Sequence, residues 1–250
     1  MITANDGQLP RLENAGMDAW LVRLFAQIDE RNLNQITALV SACKLAFGEY
    51  LVDIVPSYTT VLLQFDAMRL EHAVARTMLQ EALKQVWKPV LLDEPDAAIN
   101  NTAIIELPVW YHLSVGPELA RLSLHTGLDT PALIQLHSQP VYRVFALGFA
   151  PGFAFMGTLP AELALPRLTQ PRAKVPAGSL AIAGRQTAVY PHASPGGWNL
   201  LGRCPTPLFD LQSPTLSRLQ VGDSVRLVPI SKVQFERLGG DTTPVSGEAY

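Results

Sequence analysis

Between residues 142 and 210 the chain is turned so often that no long helix or strand can fit. The stretch reads YRVFALGFAPGFAFMGTLPAEL, then, after Ala164-Leu165, PRLTQPRAKVPAGSLAIAGRQTAVYPHASPGGWNLLGRCPTPLFD. Two Pro-Gly corners each lead into an aromatic, at Pro151-Gly152-Phe153 and Pro195-Gly196-Gly197-Trp198. Proline fixes φ at about −65° and glycine supplies the positive φ of a type II turn, so each pair sets a tight reversal. Short apolar runs lie between the corners, at 142–147, 179–183, 187–190 and 198–202, with a further run at 224–229. Many short strands at irregular spacing imply a closed antiparallel barrel rather than a βαβ array. Corners ringed by aromatic side chains also describe the wall of a cleft.

The chain ahead of this stretch has a different rhythm. A strand is predicted over 20–25, then a helix over 32–47 with Leu33, Ile36, Leu39, Val40, Cys43 and Phe47 on one stripe and Gly48 as its stop. Two β-rich runs, 50–55 and 61–66, join through Pro56-Ser57 as a hairpin. A second amphipathic helix covers 69–86, with Leu70, Val74, Met78 and Val86 on one side. A strand over 103–109 then completes the order β-α-β-β-α-β, that of a ferredoxin-like split βαβ unit. Two short helices follow, 116–126 and 131–137, the second with Thr130 as N-cap and Pro131 at its first position. The fold class expected is α+β. Residues 1–17 are read as a disordered leader, 18–102 as a ferredoxin-like domain, 103–237 as a barrel domain and 238–250 as a disordered tail.

Composition excludes several classes. A net charge of −3 argues against a general nucleic-acid or membrane-surface binder. No apolar run approaches the roughly 20 residues that span a bilayer, and the first residues lack a signal-peptide pattern, so a cytoplasmic location is expected. Two cysteines, Cys43 and Cys204, are too few for a disulfide framework or a metal knuckle. Cys43 falls on the apolar stripe of a predicted helix and reads as a buried hydrophobe. Cys204 lies beside the aromatic turn and could touch a ligand, but with no histidine close in sequence it does not read as a nucleophile. No phosphate-binding loop, nucleophile elbow, HExxH or CxxC pair occurs, and no metal site is expected.

Charge is distributed unevenly. From 138 to 209 the basic side chains are Arg143, Arg167, Arg172, Lys174, Arg185 and Arg203, against one acid, Glu162. That local excess favours a small anionic ligand, because guanidinium groups bind carboxylate and phosphate strongly. Arg172 and Lys174 stand out, since the rigid turn Val175-Pro176-Ala177-Gly178 follows them. His137, at a helix end, could hydrogen-bond a ligand or shuttle a proton, or simply cap the last carbonyls. Phe149, Pro151, Gly152, Phe153, Gly196, Gly197 and Trp198 form the corners of the supposed cleft, with Arg167 nearby in sequence. Gln186 and Tyr190 share one face of a strand with Ala188. By themselves these residues describe an anion-binding cleft in a β-rich domain and name no reaction.

The motifs G-F-A-P-G-F at 148–153, P-R at 166–167 and 171–172, V-P-A-G-S at 175–179, Y-P at 190–191 and S-P-G-G-W at 194–198 resemble the allophanate hydrolase subunit 1 family. Weaker similarity runs from about residue 20 to 229. That family includes KipI-type inhibitors of sensor histidine kinases and the B subunit of bacterial 5-oxoprolinase. The resemblance implies a ferredoxin-like N-terminal domain followed by a cyclophilin-like barrel. It also implies a heteromer with the C subunit of 5-oxoprolinase, with the A subunit as a further partner whose association can be transient. Together the three would couple ATP hydrolysis to opening 5-oxo-L-proline into L-glutamate, with ATP acting at the level of the complex and this chain inactive alone. Under that resemblance Arg172 and Lys174 would hold a carboxylate or phosphoryl group, with His137 and Gln186 bonding the lactam. A kinase regulator is the alternative. A peptidyl-prolyl isomerase rests on the barrel alone, and fold does not carry function.

Overall fold

The computed structural model describes residues 9–87 and 103–245. Two compact units meet in sequence at Asn101 and Thr102. In the first unit the elements are β1 (Arg11–Asn14), β2 (Ala19–Arg23), α1 (Asn32–Phe47), β3 (Leu51–Pro56), β4 (Thr60–Phe65) and α2 (His72–Val86). The four strands form one antiparallel sheet in the order β1-β2-β4-β3. Alternation sends Trp20, Val22, Val61, Leu63 and Phe65 into one core with Ile36, Leu39, Cys43 and Phe47 of α1, because every second strand residue shares a face. The helix 32–47 has the predicted bounds, and Gly48 at φ 50° closes it, its N–H donating to the Lys44 carbonyl.

Three sequence expectations are corrected here. Of the expected α2 stripe, Leu70, Met78 and Val86 pack against the core whereas Val74 is exposed; the fully buried positions are Ala75, Leu79, Ala82 and Leu83. The supposed leader contains β1, paired with β2 from Arg11 opposite Arg23 to Asn14 opposite Trp20. Its sequence, Arg-Leu-Glu-Asn, offers only Leu12 as an apolar cue, and the Glu13 carboxylate accepts from both Arg11 and Arg23. The strand expected to complete a ferredoxin-like order is absent from this sheet, and β1 takes the free edge of β2 instead.

That strand, β5 (Ile104–Val109), belongs to the second unit. There it is followed by α3 (Glu118–Thr126), α4 (Thr130–Ser138), β6 (Val141–Leu147), β7 (Ala154–Gly157), β8 (Arg172–Val175) and β9 (Ser179–Ala183). Then come β10 (Gln186–Val189), β11 (Ser194–Gly196), β12 (Asn199–Arg203), β13 (Ser224–Pro229) and α5 (Lys232–Arg237). Seven strands form a sheet in the order β12-β9-β10-β7-β6-β13-β5, and β8 pairs with β11 as a separate ribbon. All neighbours in the large sheet are antiparallel except β13 and β5, which run parallel. The sheet curls into a nearly closed barrel, because Trp110, just past β5, bridges Arg203 on the opposite edge strand. Both N–H···O bonds of that bridge are 2.9 Å. A Cβ at Gly202 would stand 2.7 Å from the Trp110 carbonyl oxygen, so a side chain there would block closure.

Strand alternation gives this sheet two apolar faces. Val144, Met156, Leu180, Ile182, Val189 and Leu201 join Leu119, Leu122 and Leu133 of α3 and α4 in the larger cluster. Ala181, Ala183, Ala188, Tyr190 and Leu200 point the other way, into a smaller cluster with Phe153, Val175 and Trp198. The helix over 130–138 is capped one residue earlier than expected, the Asp129 carboxylate accepting from the Ala132 N–H. The segment after α5, expected to be disordered, is tied down as far as it is described. The Arg203 guanidinium donates to the carbonyls of Asp241 (2.5 Å) and Thr243 (3.0 Å), and the Val245 N–H donates to Ser114.

Candidate functional site

The ribbon of β8 and β11 brings the site together. It carries Arg172 opposite Gly196 and contributes Val175 to the smaller apolar cluster. Phe153 is the hub of that cluster. Its ring lies 4.8 Å from Phe155, 5.2 Å edge-on from Tyr190 and 5.8 Å edge-on from Trp198, centroid to centroid. Such edge-to-face pairs follow from the ring quadrupole. Gly196 is required beside them: a Cβ would fall 2.3 Å from the Tyr190 hydroxyl oxygen.

Two cations converge on this aromatic group. The Arg167 guanidinium carbon sits 5.9 Å from the centroid of Trp198, within cation–π range. Arg172 is buried, and its Nη2 donates to Glu118 Oε1 at 2.5 Å. The second Glu118 oxygen accepts from the Leu200 N–H at 2.8 Å, so the carboxylate fastens Arg172 to the barrel edge. Nε and Nη1 of Arg172 are buried and have no hydrogen-bond partner. An unpartnered buried donor on a charged group costs about 1–3 kcal/mol or more, which makes these two N–H-bearing nitrogens, next to the aromatic group, the mark of a ligand position there. Burial pushes the Tyr190 hydroxyl up to about 12, against the opposing pull of the Trp198 N–H, Arg167 and Arg172. It is therefore a neutral hydroxyl at physiological pH.

The other sequence-picked residues fall into three groups. Lys174 is exposed on β8, and Gln186 is half-buried at the start of β10. Phe149 is 67% exposed, has a φ of 71° and packs edge-on against Phe153. Pro151 and Gly152 make the turn behind it, with Gly152 (φ 80°) pressed on Leu208 and Phe209 rather than on Arg172. Gly197 accepts from the Leu168 N–H through its carbonyl.

His137 stands apart from this group. It is 1% exposed, with Nδ1 3.1 Å from the Tyr111 hydroxyl and Nε2 3.1 Å from Thr187 Oγ1. Thr187 spends its one proton on the Ala181 carbonyl, so Nε2 carries the imidazole proton and Nδ1 accepts from Tyr111. Burial pulls the imidazole down to about 3. A neutral, fully bonded, solvent-sealed ring cannot shuttle protons to a ligand, and His137 is a core residue.

The wider expectation that the basic residues converge is also corrected. Arg143 donates to the Gly222 carbonyl, Arg185 to Leu159 and Arg203 to the C-terminal segment. Only Arg167 and Arg172 lie at the aromatic group. Sequence reasoning misses Glu118 and Phe155: an acid in the first turn of a helix is ordinary, and the partner of Glu118 is 54 residues away. Both cysteines are buried and free. Among the described residues no three His, Cys, Asp or Glu side chains gather to hold a metal ion, and no helix is long and apolar enough to cross a membrane.

Fold and site together describe a mixed α/β protein whose second unit is a nearly closed barrel bearing a buried arginine amid aromatic rings. The chain belongs to the family described as carboxyltransferase domain, subdomain C and D, whose pattern matches residues 10–219. It is 32% identical over 231 residues to a protein of Bacillus subtilis named as the B subunit of 5-oxoprolinase, covering 90% of this chain and 95% of that one. A solved structure designated TTHA0988 matches with a TM-score of 0.71 and 35% identity, over 85% of this chain. The chain spans only 40% of that protein's length. Kluyveromyces lactis urea carboxylase shares the fold, with a TM-score of 0.67 at 17% identity over 90% of this chain and 22% of its own.

Proposed function

We propose that this chain is the B subunit of an ATP-dependent 5-oxoprolinase, acting in the cytoplasm with the A and C subunits to hydrolyse 5-oxo-L-proline to L-glutamate. Similarity to the Bacillus subtilis protein of that name over most of both chains supports the reading. The barrel is taken as cyclophilin-like. The first unit is taken as a variant of the ferredoxin-like arrangement in which β1 replaces the closing strand.

The observation that carries the site is Arg172, held by Glu118 with two nitrogens left to donate. In this reading those donors receive the substrate carboxylate or a phosphoryl oxygen. The rings of Phe153 and Trp198 pack the methylenes of the five-membered lactam, and Arg167 and the exposed Lys174 add positive charge. A lactam is a stable amide, so coupling its opening to phosphoryl transfer from ATP lowers the barrier, and fixed N–H donors stabilise the charge that develops. His137 takes no part beyond holding the core.

The test is the reconstituted three-chain complex, assayed for ATPase stimulated by 5-oxo-L-proline. Arg172→Ala and Arg172→Lys are compared with wild type, each checked for folding by thermal melting. A folded Arg172→Ala variant is expected to lose about 100-fold in kcat/KM. Unchanged turnover removes Arg172 from the site, and a wild-type complex without stimulation overturns the enzyme reading.

A further inference from the structure

Arg203 presents a second buried guanidinium that the proposed reaction does not use. It is 2% exposed, and its Nε and Nη2 are buried without a hydrogen-bond partner. Its acceptors are two neutral carbonyls, those of Asp241 and Thr243. The carboxylate of Asp241 stands off at 3.6 Å and is itself two-thirds exposed, where water screens it. Desolvation pulls the guanidinium below its ordinary value against the attraction of Asp241, the mark of a cation short of compensation.

The segment that supplies those carbonyls is tied on from outside the sheet, through side-chain and single backbone contacts. Asp241–Val245 has no helix or strand of its own. Besides Arg203, it is held by the Val245 N–H bonded to Ser114 and by the Val245 side chain resting on the cluster of Phe153, Tyr190 and Trp198. These are its contacts among the described residues, and a segment outside helix and sheet opens at lower free energy than the strands it lies on. Opening would free every donor of Arg203 beside the barrel edge.

We propose that Arg203 is the core of a second oxyanion site, kept shut by residues 241–245 acting as a strap that a carboxylate or phosphoryl group displaces. The anion takes the place of the Asp241 and Thr243 carbonyls, exchanging neutral acceptors for a charged one. The site differs from that of Arg172, whose fixed partner is an internal carboxylate.

Calorimetric titration of the full chain with inorganic phosphate and, separately, with acetate tests this against a chain ending at Gly240. The shortened chain should bind at least one of the two anions about tenfold more tightly, and the gain should vanish on adding Arg203→Gln. The anion that gains identifies the ligand as phosphoryl or carboxylate. Affinities for both within twofold of the full chain, or a gain that survives Arg203→Gln, overturn the proposal. If the shortened chain does not fold, hydrogen exchange of the Val245 amide in the wild type decides. It should quicken when the anion is added, and an unchanged rate with both anions counts against the strap. Neither arm involves turnover or the partner proteins, so the outcome is independent of the 5-oxoprolinase assay.

Discussion

Glu118 is the residue on which the candidate site most depends, and its removal can be worked through from contacts. One carboxylate oxygen takes Arg172 Nη2 at 2.5 Å and the other takes the Leu200 N–H at 2.8 Å. The side chains of the pair are only 5% and 10% exposed. Removing one partner of such a buried pair leaves an uncompensated charge and costs about 3–5 kcal/mol. The orphaned Leu200 N–H acts in the same direction, so Glu118→Ala should lower stability by about 4 kcal/mol or somewhat more. Replacing both members by apolar side chains of similar volume leaves no buried charge. The double variant Glu118→Leu/Arg172→Met should therefore lie within about 2 kcal/mol of wild type, the remainder being the unpaired Leu200 N–H. Urea unfolding, read as a shift of midpoint at constant slope, gives all four corners of the cycle. A loss below about 1 kcal/mol for Glu118→Ala refutes the buried-pair argument, as does a double variant as unstable as the two single losses summed.

Two further outcomes follow from burial. His137 titrates at about 3 in the folded chain against an ordinary value of 6.5, so the unfolded chain binds its proton first as pH falls. The stability it contributes is complete above about pH 6.5 and declines towards pH 3, with about 2 kcal/mol lost between pH 7 and 5. Urea midpoints at the two pH values should show that slope in wild type and lose it in His137→Gln; an equal slope in both removes the assignment. Burial pushes the Cys43 thiol up to about 12 and raises Cys204 as well. Neither should react with a thiol-specific reagent at pH 8 until the chain unfolds, and a rapid reaction of the native protein would show an access route that the packing denies.

How much can be read from the chain depends on the range of the interactions involved. The helix over 32–47 and the strands over 179–183 and 224–229 have the predicted bounds, because their signals are side-chain spacing and adjacent turn residues. Strands β7, β8 and β11 give no such signal. They are three or four residues long, too short for a period to register, and exist because another strand lies alongside. β1 is silent in the sequence for the same reason, and α5 because its six residues show little beyond the capping box of Ser231 and Gln234. In the site, Arg172, Arg167, Phe153, Tyr190 and Trp198 can be picked out by residue type and by the corners around them. His137 cannot be assigned, since a helix-terminal histidine reads alike whether it faces a ligand or the core.

The sequence alone settled what is local: a two-part chain, a helical and hairpin-bearing first half, and a second half that Pro-Gly corners force into short strands. It also settled which side chains were chemically able to hold an anion. Tertiary structure decided which of them meet. Glu118 reaches Arg172 across 54 residues, Trp110 reaches Arg203 to close the barrel, and β5 opens the second unit and pairs with β13. No periodicity encodes such choices, because each depends on which distant backbone supplies the missing hydrogen bond and on which cation is left over once the others are satisfied.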